Sequence, residues 1–242
     1  MKRSPLLPAS LGTSLMVLAF SSFAGTPDQP RVAVEQPAGV YRFALGDARV
    51  TALSTGTVDL DLHKLMHGTT HDHIDQLLRR EFLENPVRTS INVFLIELGG
   101  RRVLVDTGSG ALFGGNADRL MESLAAADVQ AGQIDDILIT HTHIDHIGGL
   151  VLDGEPVFRN AIIHVGAPDL AFYLQPATPS VPHADAASSE TAEKMLRVYA
   201  AAGKIKAFSG TSEVVPGIVA TVHDGHTPGS AVFTLQRDGR KI

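Results

Sequence analysis

The chain has 242 residues, 44% of them hydrophobic and 19% charged, which suits one large globular domain with an ample core, or at most two. Its formal charge of −6 and its lack of long basic runs argue against a nucleic-acid partner. It contains no cysteine, so disulfides, thiolate ligands and thiol nucleophiles are excluded.

Lys2 and Arg3 make a positive start, "LGTSLMVLAF" (Leu11 to Phe20) is an apolar run too short to span a bilayer, and "SFA" (Ser22 to Ala24) offers small residues for cleavage. The pattern predicts a secretory signal peptide over 1–24, cut after Ala24, and so a periplasmic or secreted protein. Loss of Lys2 and Arg3 takes the side-chain charge from −6 to −8. No other segment is apolar and long enough for a membrane helix. Residues 25–38 are polar and proline-containing and read as a flexible mature N-terminus.

From Tyr41 the pattern is β-like, with two runs around Gly46-Asp47 that predict a hairpin. Asp59 to Pro86 is less regular, although Ile74 to Leu83 has helical spacing. "SINVFLIELGGRRVLVDTG" predicts a strand, a turn at Gly99-Gly100 and a second strand ending at Asp106. "NADRLMESLAAA" (Asn116 to Ala127) reads as a helix capped by Asn116. "IDDILI" (Ile134 to Ile139) is a short apolar run of the kind a buried strand shows. "AIIHVG" predicts another strand, "PDLAFYLQ" a short helix opened by Pro168, and "SSETAEKMLRVYAAAG" a helix capped by Ser188 or Ser189 and stopped by Gly203. The chain closes with strand, loop, strand and the start of a hairpin at Asp238-Gly239. This alternation indicates α/β or α+β.

Polar residues collect where the strands end. "THTHIDHIGG" (Thr140 to Gly149) packs three histidines and an aspartate into six positions directly after a strand. Such groups are costly to bury unpaired, and neutral imidazole and carboxylate are ordinary ligands of a divalent metal. On a tight turn punctuated by Gly148-Gly149, His141 and His143 can aim at one point, and Asp145 and His146 at a second nearby. One loop could serve two adjacent ions.

"HTHIDH", with "VLVDTG" (Val103 to Gly108) and "GHTPGS" (Gly225 to Ser230), resembles the metallo-β-lactamase superfamily. "GVYRFALGDARVTALSTGTV", "FSGTSEVVPGI" and "GALFGG" are similar to its methyl parathion hydrolase and lactonase-like subgroup. The likeness covers residues 39–242 as one domain. It implies an α+β fold, an αβ/βα sandwich, with a mono- or dinuclear metal site. Carried over by position, His141, His143 and His226 would hold one metal, Asp145 and His146 a second, and Asp106 would orient the ligand loop. Asp145 would also position the attacking hydroxide. The metal would be zinc, with manganese, iron or cobalt as alternatives. The family pattern further includes a bridging aspartate and a final histidine beyond the last hairpin. The expectation is therefore a C-terminally truncated form that binds about one metal and hydrolyses poorly.

The implied activity is hydrolysis of esters, lactones or organophosphate triesters by a metal-activated hydroxide. A β-lactam hydrolase and a non-catalytic metal- or ligand-binding protein are the alternatives. Phe113, Phe172 and Tyr173 fall where the subgroup lines its substrate pocket, and ordinary core packing explains them equally well. The expected partner is a small-molecule substrate, with homodimerisation left open. "HGTTHDHID" (His67 to Asp75) echoes the ligand motif at the wrong spacing and reads as a solvated loop. His223 reads as a neighbour of the site, and His164, inside an apolar strand, as a hydrogen-bonded core residue.

Overall fold

A computed structural model describes residues 39–114, 116–174 and 186–242. The proposed signal peptide and the segment 25–38 lie outside the described residues. Two antiparallel strands open the fold, β1 (Val40–Leu45) and β2 (Ala48–Leu60), joined at Gly46-Asp47. A short helix, α1 (Leu62–Leu65), precedes α2 (His71–Arg80). The Thr70 hydroxyl accepts the His73 N–H at 3.2 Å and so caps α2. Part of the stretch read as a solvated loop is thus the first turn of a helix, because the loop ends in an N-cap threonine.

β3 (Val87–Leu98) and β4 (Arg101–Val105) meet at Gly99-Gly100, both with positive φ (57° and 78°), as a two-residue hairpin turn requires. The helix expected from Asn116 begins later: α3 is Leu120–Ala126, and Arg119 caps it without a side-chain bond. The Asn116 carbonyl instead accepts the Thr57 N–H (3.0 Å), and the Arg119 N–H donates to the Thr55 carbonyl (3.0 Å). Segment 116–119 is therefore spent on the β-bulge at Ser54–Gly56 of β2, a long-range bond that local capping preference does not anticipate.

β5 (Asp136–Leu138) leads into the histidine loop and α4 (Ile144–Ile147). The small hairpin β6 (Val151–Leu152) and β7 (Glu155–Pro156) follows, then β8 (Ile162–Gly166), α5 (Ala167–Leu174) and α6 (Ala186–Ala201). α6 is already under way two residues before Ser188, so neither candidate serine is its cap. β9 (Ile205–Phe208), β10 (Thr211–Val215), β11 (Ile218–Val222), β12 (Ala231–Arg237) and β13 (Arg240–Lys241) complete the chain.

One seven-stranded sheet runs β1-β2-β3-β4-β5-β8-β9, antiparallel up to β4 and parallel from there; a four-stranded sheet runs β10-β11-β12-β13. The central strands are covered on both faces. Leu104, Ile137 and Ile163 pack with Leu124 of α3 and Leu196 and Tyr199 of α6. Their neighbours Val103 and Leu138 face Val215, Ile218 and Leu235 of the second sheet. That is why these strands read as unbroken apolar runs rather than alternating ones. An apolar cavity of about 480 Å³ lies between the sheets, with Phe43, Phe94, Val105 and Phe233 among its walls. Among the described residues no helix is long and apolar enough to cross a membrane.

Candidate metal centre

The parallel strands end on one side, and the loops that leave them carry the polar residues. β4 ends at Val105 and is followed by Asp106, whose φ of 63° is rare for a residue other than glycine. That conformation turns its carboxylate onto the histidine loop. Oδ1 accepts the Thr140 N–H (2.8 Å), and Oδ2 accepts the Thr140 hydroxyl (2.8 Å) and the His146 Nδ1–H (2.8 Å). Asp106 thus orients the ligand loop through Thr140 and His146.

Gly148 and Gly149 do not make the turn that the glycine pair suggests. Gly148 has a φ of −60°, ordinary for any residue. A Cβ on Gly148 would lie 2.1 Å from the Ser109 carbonyl oxygen, and one on Gly149 2.3 Å from that of Thr107. Their role is to let the loop after Asp106 lie flat against α4. The Thr107 N–H donates to the His146 carbonyl at 2.7 Å across this contact.

His141, His143 and His226 come together, with one ligand atom from each lying within 4.8 Å of the others. His226 reaches His141 Nε2 to Nε2 at 3.1 Å although 85 positions separate them in sequence. The Thr140 hydroxyl donates to Asp106, so it accepts from His141 Nδ1 (3.1 Å) and leaves the Nε2 lone pair facing the other two rings. Burial and the neighbouring imidazoles of His146, His143 and His226 depress the His141 pKa to about 3. Burial and the His226 ring likewise hold His143 below its usual value. Imidazole nitrogens converging on one point, those of His141 and His143 held neutral by burial, fit a divalent cation.

Asp145 and His146 sit beside this triad and pair with each other, Oδ2 to Nε2 at 3.3 Å. Burial disfavours charge on both, yet the bonds to Asp106 and Asp145 outweigh it and raise His146 to about 10. Asp145 is held below the usual carboxylate range, burial being outweighed by the His146 contact. A stability prediction follows for the metal-free protein. Unfolded histidine titrates near 6.5, so His146 contributes fully below that pH and loses its contribution as pH rises toward about 10. The thermal midpoint of chelator-treated protein should fall between pH 7 and pH 10, roughly the window of that shift. The fall should be smaller in His146→Gln. Equal slopes for the two proteins would refute it.

The remaining candidates are elsewhere. Phe113 is half-exposed at the end of a 3₁₀ turn, Gly110–Phe113, that packs on α4. Tyr173 is buried in the large core and Phe172 packs beside it, because α5 turns this face toward α6. Tyr173 therefore fills the core rather than an open pocket, and its hydroxyl bonds to Thr142. His223 and Asp224 are exposed, and the His223 N–H closes its loop on the Ser230 carbonyl (2.7 Å). His164 is a core residue bonded to Asp136 at 2.8 Å. In the decoy stretch, Asp75 bonds His63 (2.8 Å) and His71 stacks on the same ring.

Sequence reasoning missed Asp169, on the first turn of α5 and fully buried. It also missed Thr142 and Thr227, which bind its carboxylate. The only local signal is an acidic residue in the first turn of the helix that follows a strand.

The family profile of the metallo-beta-lactamase superfamily matches residues 86–242, more than half of the chain. The chain belongs to this superfamily. It is similar to a crystal structure of the hydrolase AbOPH of the beta-lactamase superfamily, at 29% identity and a TM-score of 0.76, over 86% of this chain and 73% of that one. It shares its fold with AidC, a dizinc quorum-quenching lactonase bound to the product N-hexanoyl-L-homoserine (24% identity, TM-score 0.76, 84% and 72% covered). It also shares it with a probable metal-dependent hydrolase from Staphylococcus aureus (21% identity, TM-score 0.66, 82% and 72% covered). No curated protein sequence matches significantly. The fold is α+β of the metallo-β-lactamase type, and the protein is a metal-binding hydrolase.

Proposed function

We propose that this chain carries the metal centre of a hydrolase of neutral, apolar esters, lactones or organophosphate triesters, with zinc held by His141, His143 and His226. The convergence of these rings carries the proposal. When bound, the metal supplies Lewis acidity that makes water a nucleophile near neutral pH. The chain's own residues do the rest. The three imidazoles converge their ring nitrogens, those of His141 and His143 held neutral by burial, and Asp106 fixes the loop through Thr140. Asp145 and His146 contribute to a second cation position, where the ionised Asp145 also serves as an acceptor that orients the attacking water. No serine or cysteine nucleophile is required.

The likeness to AbOPH and to the lactonase AidC supports this substrate range. Phe113, on the turn packed against α4, is the candidate for an apolar wall above the site. The negative charge of the chain disfavours anionic substrates. We also propose export to the periplasm or beyond, supported by the N-terminal pattern; fractionation of the expressed protein tests this.

Zinc-loaded protein should be assayed on a chromogenic lactone, an apolar aryl ester, a phosphotriester, a phosphomonoester and a chromogenic cephalosporin. One of the first three should show the highest kcat/KM. The phosphomonoester or the cephalosporin leading the panel would replace this reading.

A further inference from the structure

Three segments that are distant in sequence meet at the carboxylate of Asp169. Its Oδ2 accepts the Thr142 N–H (3.1 Å), the Thr142 hydroxyl (3.0 Å) and the Thr227 hydroxyl (2.8 Å). Its Oδ1 accepts the Gly229 N–H at 2.6 Å. Thr142 lies between His141 and His143, and Thr227 directly follows His226. One buried carboxylate therefore grips the residue between two of the candidate ligands and the residue next to the third.

The backbone is shaped to allow this. A Cβ on Gly229 would lie 2.5 Å from the Asp169 nitrogen, and a Cβ on Gly166 would lie 2.2 Å from the Gly229 carbonyl oxygen. Any side chain at either position would push the His226 loop away from α5. Without its partners, a fully buried carboxylate would be costly, so the four bonds hold one another in place.

Among the described residues the two ligand loops have no comparable tie. The contact of His226 with His141 is ring to ring. The Ala231 N–H bond to the Thr140 carbonyl (2.8 Å) joins the loop ends beyond the ligands. The Tyr173 hydroxyl, bonded to Thr142, braces the same junction from the core.

We infer that Asp169 is a positioning residue that sets the distance between the His141/His143 loop and the His226 loop, and so preorganises the three-nitrogen site for its metal. It touches neither metal nor substrate and acts through Thr142, Thr227 and Gly229. The inference rests on the reading of the three histidines as metal ligands. An outer carboxylate of this kind is worth about 10–100-fold in metal affinity.

The test uses the full chain as wild type and as Asp169→Asn, Thr227→Val and Thr227→Ser. The measurements are zinc affinity by competition with a chromophoric chelator, the visible absorption spectrum of the cobalt-loaded protein, and the thermal midpoint without metal. In Asp169→Asn the amide NH₂ cannot accept the bonds that one carboxylate oxygen now accepts. Zinc affinity should fall by about 10–100-fold and the cobalt bands should shift. Thr227→Val keeps the shape and removes the donor to Asp169 together with the hydroxyl contact to Ser230 (2.7 Å); affinity should fall by about tenfold. Thr227→Ser restores the hydroxyl and should bind as wild type does. A purely structural role would lower the thermal midpoint and leave the affinity and spectrum of folded protein unchanged; that result in Thr227→Val would overturn the inference. Thr227→Val decides the matter even if Asp169→Asn does not fold. If the wild type itself binds no zinc, the metal reading fails, and this inference with it.

Discussion

His141→Ala should lose most of its bound metal and, with it, hydrolysis, while His67→Ala keeps both. His141 is the best-prepared of the three converging rings. It is almost fully buried, its Nδ1 is committed to Thr140, and its Nε2 lies 3.1 Å from that of His226. Burial and the three neighbouring imidazoles keep it neutral, with a pKa near 3, so no proton competes with a cation there at neutral pH. Removing a direct ligand should cost more than the roughly 10–100-fold lost when only an outer partner is changed. Elemental analysis after dialysis against zinc reads the result. His67 is exposed on the loop before α2 and is no member of the triad. Equal metal content in the two variants would remove the basis of the proposed function.

The second large effect is expected at the opposite end of the same strand. Asp136 opens β5 and is buried with His164; its Oδ1 bonds His164 Nε2 at 2.8 Å, and Oδ2 pairs with Arg101, whose Nε lies 2.9 Å away. Burial pushes the Asp136 pKa up, but the bonds from His164 and Arg101 outweigh it and hold the group below its usual value. Asp136→Ala removes the acceptor from a histidine that cannot reach water. Breaking such a buried pair costs about 3–5 kcal/mol. The lower end is expected here, because Arg101 is half-exposed and can turn to solvent. The thermal midpoint should drop by about 6–12 °C for a domain of this size. Zinc affinity of the folded variant should be unchanged, since the contacts of Asp136 lie away from the histidine loop. A drop below about 2 °C would show that the pair contributes little.

The acid limb follows from the same residue. A depressed carboxylate pKa contributes stability that is present above its unfolded value, 3.8, and is lost as pH falls through the folded value. His146 loses its contribution above about pH 6.5, while His141 and His143, whose pKa values are depressed, disfavour the fold as pH falls below it, so the metal-free protein should be most stable near pH 6.5.

Much of this was written locally. The hairpins at Gly46-Asp47 and Gly99-Gly100 are marked by residues that tolerate the backbone of tight turns. Ile137 and Leu138 lie in an apolar run because each face of β5 meets a different layer. The histidine cluster was legible because a metal shell needs costly polar groups side by side, and a short loop keeps most of them adjacent in sequence. His226 was legible only by resemblance, because no local rule links it to a loop 80 residues earlier.

Other features were settled by tertiary structure alone. Asn116 looks like a helix cap and instead completes the bulge of β2, since a backbone bond to a neighbouring strand outweighs a local capping preference. Gly148 looks like a turn residue and is a contact surface for Ser109. Tyr173 reads equally as a pocket or a core residue and is buried beneath the ligand loop. Asp169 carries no motif at all. What gives it a role is the approach of Thr142, Thr227 and Gly229, and these meet only when β8, α5 and the loop before β12 have packed. Residue types and spacing determine which chemistry the chain can perform; the folded packing decides which carboxylate holds that chemistry in register.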